Sequence, residues 1–377
     1  MTRVTLRTVA RRVGVSPMTV SNAFSRPDQL SAALREKILA AAAELGYAGP
    51  DPAARTLARG STGTVGILFH GTPRHALSDD LVALFLAAVA EELGRDGLAL
   101  TLLSNLGTRD VEPVRDVAMD GAIIYSCSPV DEHVERLRRR QLPLVLVDQP
   151  PDDCFPSVNV ADRAGACAAA THLVEFGHRR IALLAAAPER VLRHRDPRHG
   201  AYGGVSGTSE AVANPDDRYV PRERLRGWRD ALGPAGITPV PRYVERSGGE
   251  AAYAAARELL AAPDRPTAVL AFSDTLAADV LRAAADLRLR VPADVSVIGF
   301  DDSPLARRLT PALTTVRQDA VAKGSAAAAE LVAAIRARRT GDAAPARQHL
   351  LATELVLRDT TAPPADAVGG TNGTFVG

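Results

Sequence analysis

The chain has 377 residues, 46% of them hydrophobic and 24% charged. That suits two to three globular domains at roughly 150 residues each and excludes wholesale disorder, collagen-like repeats and disulfide scaffolds. The net charge of +1 conceals an asymmetry: residues 1–60 hold nine basic side chains against four acidic, and the remainder 36 against 40, so a basic head with a polyanion as partner is expected on a mildly acidic body.

No apolar run approaches the roughly 18 residues of a spanning helix, and the arginines of the first 14 residues leave no signal peptide. A cytoplasmic location without membrane contact is expected. Cys127, Cys154 and Cys167 are odd in number and lack metal-ligand spacing, so they read as small hydrophobes; neither a metal nor another cofactor is expected.

In the head, Leu6, Val9, Ala10 and Val13 recur at helical spacing, after Thr5 as cap and before Gly14 as terminator. Ser16 caps a second helix with Pro17 at its first position, reaching about Phe24, with Val20, Ala23 and Phe24 inward and Met18, Thr19, Ser21 and Asn22 outward. A third helix begins near Ser31, carries Leu34, Ile38, Ala41, Ala42 and Leu45, and stops at Gly46. Two short helices on a glycine turn, braced by a third, describe a helix-turn-helix over 1–49; periodicity alone also allows a plain three-helix bundle. Residues 50–61 read as Asp51 cap, Pro52, eight helical residues and a final Gly60, a helix too short to stand alone, or as a flexible linker.

From residue 62 short apolar strands alternate with amphipathic helices. Strands are predicted at 64–69, 98–103, 121–125 and 144–147, with helices near 79–93, 111–118 and 130–140. A second set has strands at 180–185, 267–271 and 295–300 and helices near 163–176, 222–232, 248–260 and 274–287. The class is α/β, with two doubly wound parallel sheets and a ligand crevice at the carboxyl ends of their strands. Residues 187–221 form a long stretch rich in Gly, Arg, His, Asp and Pro, which is either functional, as a lid over the crevice, or disordered. Its Gly203-Gly204 run does not open a helix directly after a strand, so a phosphate loop is rejected. The tail 360–377 reads as disordered. His70, His75, His172 and His178 are scattered, and no nucleophile–base pair, paired acid site or metal cluster has convincing spacing, so no enzyme is expected.

Val4-Thr5-Leu6, Val9-Ala10, Gly14-Val15-Ser16, Thr19-Val20-Ser21 and Leu45-Gly46-Tyr47 resemble the DNA-binding head of the lactose-repressor (LacI/GalR) family of bacterial transcription regulators. By this resemblance the second helix enters the major groove, where Pro17, Met18 and Asn22 read bases: Asn22 by bidentate bonds to adenine, the other two by apolar contact. Ser16, Thr19, Ser21, Ser25, Gln29 and Ser31 become phosphate anchors or serve as caps and turn residues, and Thr5 and Leu6 complete the DNA-contacting set. Residues 50–60 resemble the family's hinge helix, with Leu57 as a minor-groove wedge and Ala54 facing the partner hinge. One extra residue before the hinge and Asp51 where Asn is common depart from the pattern, and direct DNA contact by Asp51 is not expected.

Gly177-His178-Arg179-Arg180-Ile181, Val297-Ile298-Gly299-Phe300-Asp301-Asp302 and Leu313-Thr314-Thr315-Val316-Arg317-Gln318-Asp319 are similar to the same family. They imply a core like periplasmic sugar-binding proteins, with one subdomain from 62–160 and 318–349 and another from 161–317 and 350–359, the last strand, near 351–357, joining the second. The implied effector contacts are Arg224, three residues before Gly227-Trp228, with Asp301 and Asp274, the latter equally suited to cap a helix. Asp148, Tyr125 and Gln318 join by position. The implied function is a repressor that binds palindromic double-stranded operator DNA as a homodimer under control of a small-molecule effector, a sugar, nucleoside or similar metabolite. The absence of a leucine heptad run in the tail favours the dimer over a tetramer. The alternatives are a two-lobed small-molecule-binding protein and a regulator that activates or needs no effector.

Overall fold

The computed structural model describes residues 4–49, 60–69, 77, 79–103, 112–127, 131–186, 218–244 and 248–365. The chain divides into a head, 1–63, and a body, 64–377.

Among its described residues the head has three helices, α1 (Leu6–Val13), α2 (Pro17–Ser25) and α3 (Ala32–Glu44), with a 3-10 turn at Pro27–Gln29. Gly14 ends α1 in the left-handed region, and Ser16 Oγ accepts from Thr19 N at 3.0 Å to cap α2. Such a cap contributes about 1 kcal/mol. Val9, Ala10, Val20, Ala23, Ile38 and Ala42 form the buried centre, with Leu6, Phe24 and Tyr47 against it. Phe24 and Tyr47 meet edge to face at 5.8 Å.

Among the described residues the body has two six-stranded sheets. Its elements are β1 (Thr64–Phe69), α4 (Asp80–Arg95), β2 (Ala99–Leu103), α5 (Pro113–Asp116), β3 (Gly121–Tyr125), α6 (Glu132–Arg139), β4 (Leu144–Val147), β5 (Ser157–Val160), α7 (Asp162–Glu175), β6 (Ile181–Ala186), α8 (Tyr219–Leu232), β7 (Val240–Val244), α9 (Glu250–Ala261), β8 (Ala268–Ala271), α10 (Asp274–Asp286), β9 (Ser296–Asp301), α11 (Pro304–Arg308), β10 (Thr314–Arg317), α12 (Ala320–Thr340), β11 (Gln348–Leu351) and β12 (Glu354–Val356). The first sheet runs β11-β5-β4-β3-β1-β2 and is parallel throughout. The second runs β12-β10-β9-β8-β6-β7, parallel except for β12 against β10. β3 and β4 are buried along their whole length, which is why they read as unbroken apolar runs. The chain passes between the sheets three times: β5 to α7, β10 to α12, and β11 to β12.

Three sequence expectations need correction. The first subdomain extends past 349, because Leu350 and Leu351 pair with Asn159 and Val160 of β5. α8 begins at Tyr219, so the end of the 187–221 stretch is helical; residues 187–217 lie outside the described residues. The tail is ordered from 360 to 365. Thr360 is 0% exposed, and its Oγ1 accepts from Thr314 N at 2.8 Å while donating to Val297 O at 2.6 Å. Ser296 Oγ and Ala362 O lie 3.0 Å apart, and His178 Nε2 donates to the same carbonyl at 2.9 Å. A polar stretch that supplies bonds to a strand edge carries no apolar periodicity, so composition alone reads it as coil.

Candidate functional site

On the head, the first turn of α2 is open: Met18 is 70% exposed and Pro17 is exposed beside it. Asn22 Nδ2 donates to Gln29 Oε1 at 3.2 Å, so these two polar residues sit together at the end of α2. Ser16 and Ser31 cap α2 and α3. Ser16 Oγ lies 2.8 Å from Thr19 Oγ1, and Ser25 Oγ donates to Ser21 O at 2.9 Å. Thr5 is exposed at the start of α1, while the Leu6 side chain packs into the head core. Ala54 and Leu57 lie outside the described residues.

In the body, polar side chains converge where the strands end. Asp148 follows β4, Asp301 ends β9, and both have positive φ, 55° and 119°; Ser126 after β3 and Asp302 after β9 share this, at 51° each. Non-glycine residues in that region cost about 1–3 kcal/mol apiece and cluster at functional sites. The Asp301–Asp302 turn is held because Asp302 receives Arg317 Nε at 2.8 Å and bonds from Arg307 and Arg358. Burial pushes the Asp302 carboxyl up, but those guanidiniums outweigh it and hold it below the usual range.

Arg224 is the centre of the second subdomain's cluster. α8 reaches it because Gly227, one turn later, lets the helix touch α7: a Cβ there would fall 2.1 Å from Arg163 O. Trp228, fully buried, anchors the same turn. Arg224 Nε donates to Asp162 Oδ1 at 2.7 Å, Nη1 to Phe272 O at 2.5 Å and Nη2 to Asp301 Oδ1 at 3.4 Å. Its guanidinium lies 3.6 Å from the Phe300 ring centre, a cation–π stack. Burial pushes the Asp301 carboxyl well above the usual range against the pull of Arg224, and lifts Asp162 to about 6. Asp162 Oδ2 is buried with no partner among the described residues.

Gln318 joins this cluster to the first subdomain. Its Nε2 donates to Asp301 Oδ1 at 2.7 Å, and its Oε1 accepts from Lys323 Nζ at 2.9 Å. Lys323 also reaches Asp148 Oδ2 at 2.9 Å. Tyr125 is buried against Phe69 and Phe85, with Lys323 Nζ 5.6 Å from its ring centre; burial first, then Asp148, raises its hydroxyl pKa well above normal.

Of the six body residues expected from sequence, Arg224, Asp301, Gln318 and Asp148 thus form one network beside Tyr125. Asp274 stands behind it. Its carboxylate accepts from Ser303 N at 2.7 Å, Ser303 Oγ at 2.9 Å and Thr315 Oγ1 at 2.5 Å. Ser273 performs the capping, accepting from Leu276 N at 3.3 Å. Asp274 therefore braces the turn after Asp301, and burial lifts its carboxyl to about 6. Sequence reasoning missed Asp162, which looks like an ordinary acid in a first helical turn, and Lys323, whose signal was available: it is the body's single lysine amid arginines. Among the described residues no cluster of His, Cys, Asp and Glu could hold a metal, and no helix is long and apolar enough to cross a membrane.

Residues 5–49 match the profile of bacterial regulatory proteins of the lacI family, and residues 170–361 match the periplasmic binding protein-like domain. An HTH-type transcriptional regulator of Mycolicibacterium smegmatis is 36% identical, covering 96% of this chain and 98% of its own. The chain belongs to the lacI family. Another of its relatives is the HTH-type transcriptional regulator IpsA of Corynebacterium glutamicum, 35% identical over 85% of this chain and 88% of that one. Among solved structures, a lac repressor dimer bound to operator and the anti-inducer ONPF is 26% identical with TM-score 0.73, covering 96% of this chain and all of that one. A CelR–cellobiose complex is 28% identical with TM-score 0.65, covering 95% of this chain and all of that one. This lacI-family member is a transcriptional regulator with a helix-turn-helix DNA-binding head and an effector-binding core, and its relatives are regulators rather than enzymes.

Proposed function

We propose that the chain is a cytoplasmic repressor that binds a palindromic operator as a homodimer and changes its affinity when a small molecule, a sugar or related metabolite, binds between the two subdomains. The observation that carries the effector reading is the buried network of Arg224, Asp301 and Gln318 at the strand ends. Three desolvated polar side chains, one of them, Asp301, on strained backbone, contribute less to packing than apolar residues would, and a ligand site accounts for them. Arg224, Asp301, Gln318, Asp148 and Tyr125 are the effector set, with Asp274 and Asp162 fixing the acid and the guanidinium. The open edge of α2, with Pro17, Met18 and Asn22, suits base readout, and the caps Ser16 and Ser31 leave helix N-termini for phosphates. Leu84 and Leu102 are 40% and 37% exposed on α4 and on the edge strand β2, apolar surface that a second copy would cover. An effector acts only to the extent that it binds the DNA-competent and DNA-released arrangements with different affinity.

The test is selection of genomic fragments by the purified protein, with and without a panel of sugars and nucleosides. Enrichment of a palindrome released by one compound is expected. A compound that strengthens binding makes the protein a co-repressed regulator, and failure to enrich any sequence refutes the operator reading.

A further inference from the structure

Lys323 is 1% exposed near the start of α12, in the first subdomain. Its ammonium faces three acceptors: Asp148 Oδ2 at 2.9 Å, Asp148 Oδ1 at 3.1 Å and Gln318 Oε1 at 2.9 Å. The seat is made by Gly324. A Cβ there would fall 2.5 Å from Phe85 O and 2.9 Å from Ala88 Cβ, so α12 approaches α4 more closely than any side chain would permit.

An ammonium only donates, whereas the Asp301 carboxyl, which burial holds well above the usual range, can accept or, protonated, donate. The ammonium therefore sets the amide between Lys323 and Asp301 one way round, Oε1 toward the lysine and Nε2 toward the acid. Gln318 lies on the segment from β10 to α12, so the row Lys323–Gln318–Asp301 runs from the first subdomain to the end of β9 in the second. An apolar side chain would fill the position of Lys323 without desolvating a charge; what the lysine adds is a direction for the amide.

We propose that Lys323 is a positioning residue for the effector cleft, which, by holding Gln318 Oε1, aims Gln318 Nε2 at Asp301 and so orients the carboxylate that receives the effector. This rests on the reading of the cleft as the effector site. Without Lys323 the amide turns, its oxygen meets Asp301 in part of the population, and effector affinity falls about tenfold.

The test is calorimetric titration of the compound that releases the operator into four proteins: the native chain, Gln318→Ala, the double variant Lys323→Met with Asp148→Asn, and the triple variant. The double variant removes both charges together and Asn keeps the shape of Asp148; Asp148→Asn alone, titrated beside the four, sets the baseline for any direct effector contact of Asp148, and the loss ascribed to Lys323 is the one beyond that baseline. A tenfold loss beyond the baseline is expected in the double variant, and less than threefold more when Gln318→Ala is added, because the amide has already lost its aim. Affinity equal to the baseline in the double variant, or losses that multiply, overturn the proposal. In the native chain, nuclear magnetic resonance should show two resolved, slowly exchanging Gln318 side-chain protons; averaged or fast-exchanging ones overturn it whether or not the variants fold. If the native chain binds no compound of the panel while those protons are protected, the effector reading falls and takes the proposal with it. A bound compound indifferent to Lys323 overturns the proposal alone.

Discussion

Replacing Arg224 by methionine preserves most of the side-chain volume and removes one cation from between two buried carboxylates. Asp162 side-chain exposure is 0% and that of Asp301 11%, so neither carboxylate can recover its lost partner from bulk water. Removing one member of a buried pair costs about 3–5 kcal/mol, because the remaining charge stands uncompensated. The cost depends on pH in a determined direction. Burial already lifts Asp162 to about 6 and Asp301 well above the ordinary range, with Arg224 pulling both down. Without Arg224 both rise further. A raised carboxyl pKa penalises the fold above that pKa and not below the unfolded value near 4, so the destabilisation is largest at pH 8 and falls to about half or less at pH 5. Trp228 is the chain's single tryptophan and lies one helical turn from Arg224 in the core of the second subdomain, so its fluorescence during urea unfolding reports this region. The expected result is a lower midpoint for Arg224→Met at pH 8, a smaller difference at pH 5, and recovery of most of the loss when Asp162→Asn and Asp301→Asn are added. Equal midpoints at pH 8, or a larger loss at pH 5, refute the electrostatic account of the cluster.

Asn22→Ala should relax operator specificity at one symmetric pair of positions by about 1–3 kcal/mol, measured by competition among operator variants; a uniform loss would make Asn22 a backbone contact. Leu57→Ala should weaken operator binding in a mobility-shift titration while sedimentation shows an unchanged assembly, and unchanged operator affinity would remove the wedge. Asp279 is buried on α10 with Oδ2 unpartnered among the described residues, and burial lifts its carboxyl to about 6. Its penalty is absent below about pH 4 and fully present above 6, so Asp279→Ala should raise stability by ~2 kcal/mol at pH 8 relative to its effect at pH 4, in paired urea titrations. Ending the chain at Asp359 removes the bonds of Thr360 and Ala362 to Val297, Ser296 and Thr314, at about 1 kcal/mol each. Trp228 fluorescence should then report unfolding at lower urea, a loss of about 3 kcal/mol, and an unchanged midpoint would remove the bracing role of these bonds.

Strands buried on both faces, such as β3 and β9, announce themselves as apolar runs, and the helices between them as amphipathic stripes; these were legible. β5, with Ser157 and Asn159, β7, with Pro241 and Arg242, and β11, with Gln348 and His349, were not, because their polar side chains break the hydrophobic run. Of the polar network, the residues that end a strand or precede Gly227-Trp228 were legible. Asp162 escaped because its significance lies in what it faces across 62 residues of chain, Arg224, and Lys323, conspicuous as the body's single lysine, gave no sign of its partner Asp148, 175 residues away. The bracing role of Asp274 likewise depends on Ser303 and Thr315, brought to it by the turn after β9 and by β10.

The triple passage of the chain between the two sheets also sets which parts of such a protein can be exchanged. The head joins the body through one covalent connection, so a different reading head can be grafted by a single splice between residues 49 and 60. The body has no such seam. Each sheet is assembled from segments far apart in sequence, with β11 and β12 crossing back at the end. Transplanting one subdomain therefore requires three matched cuts, and a protease nick within one crossing leaves the halves laced together by the other two.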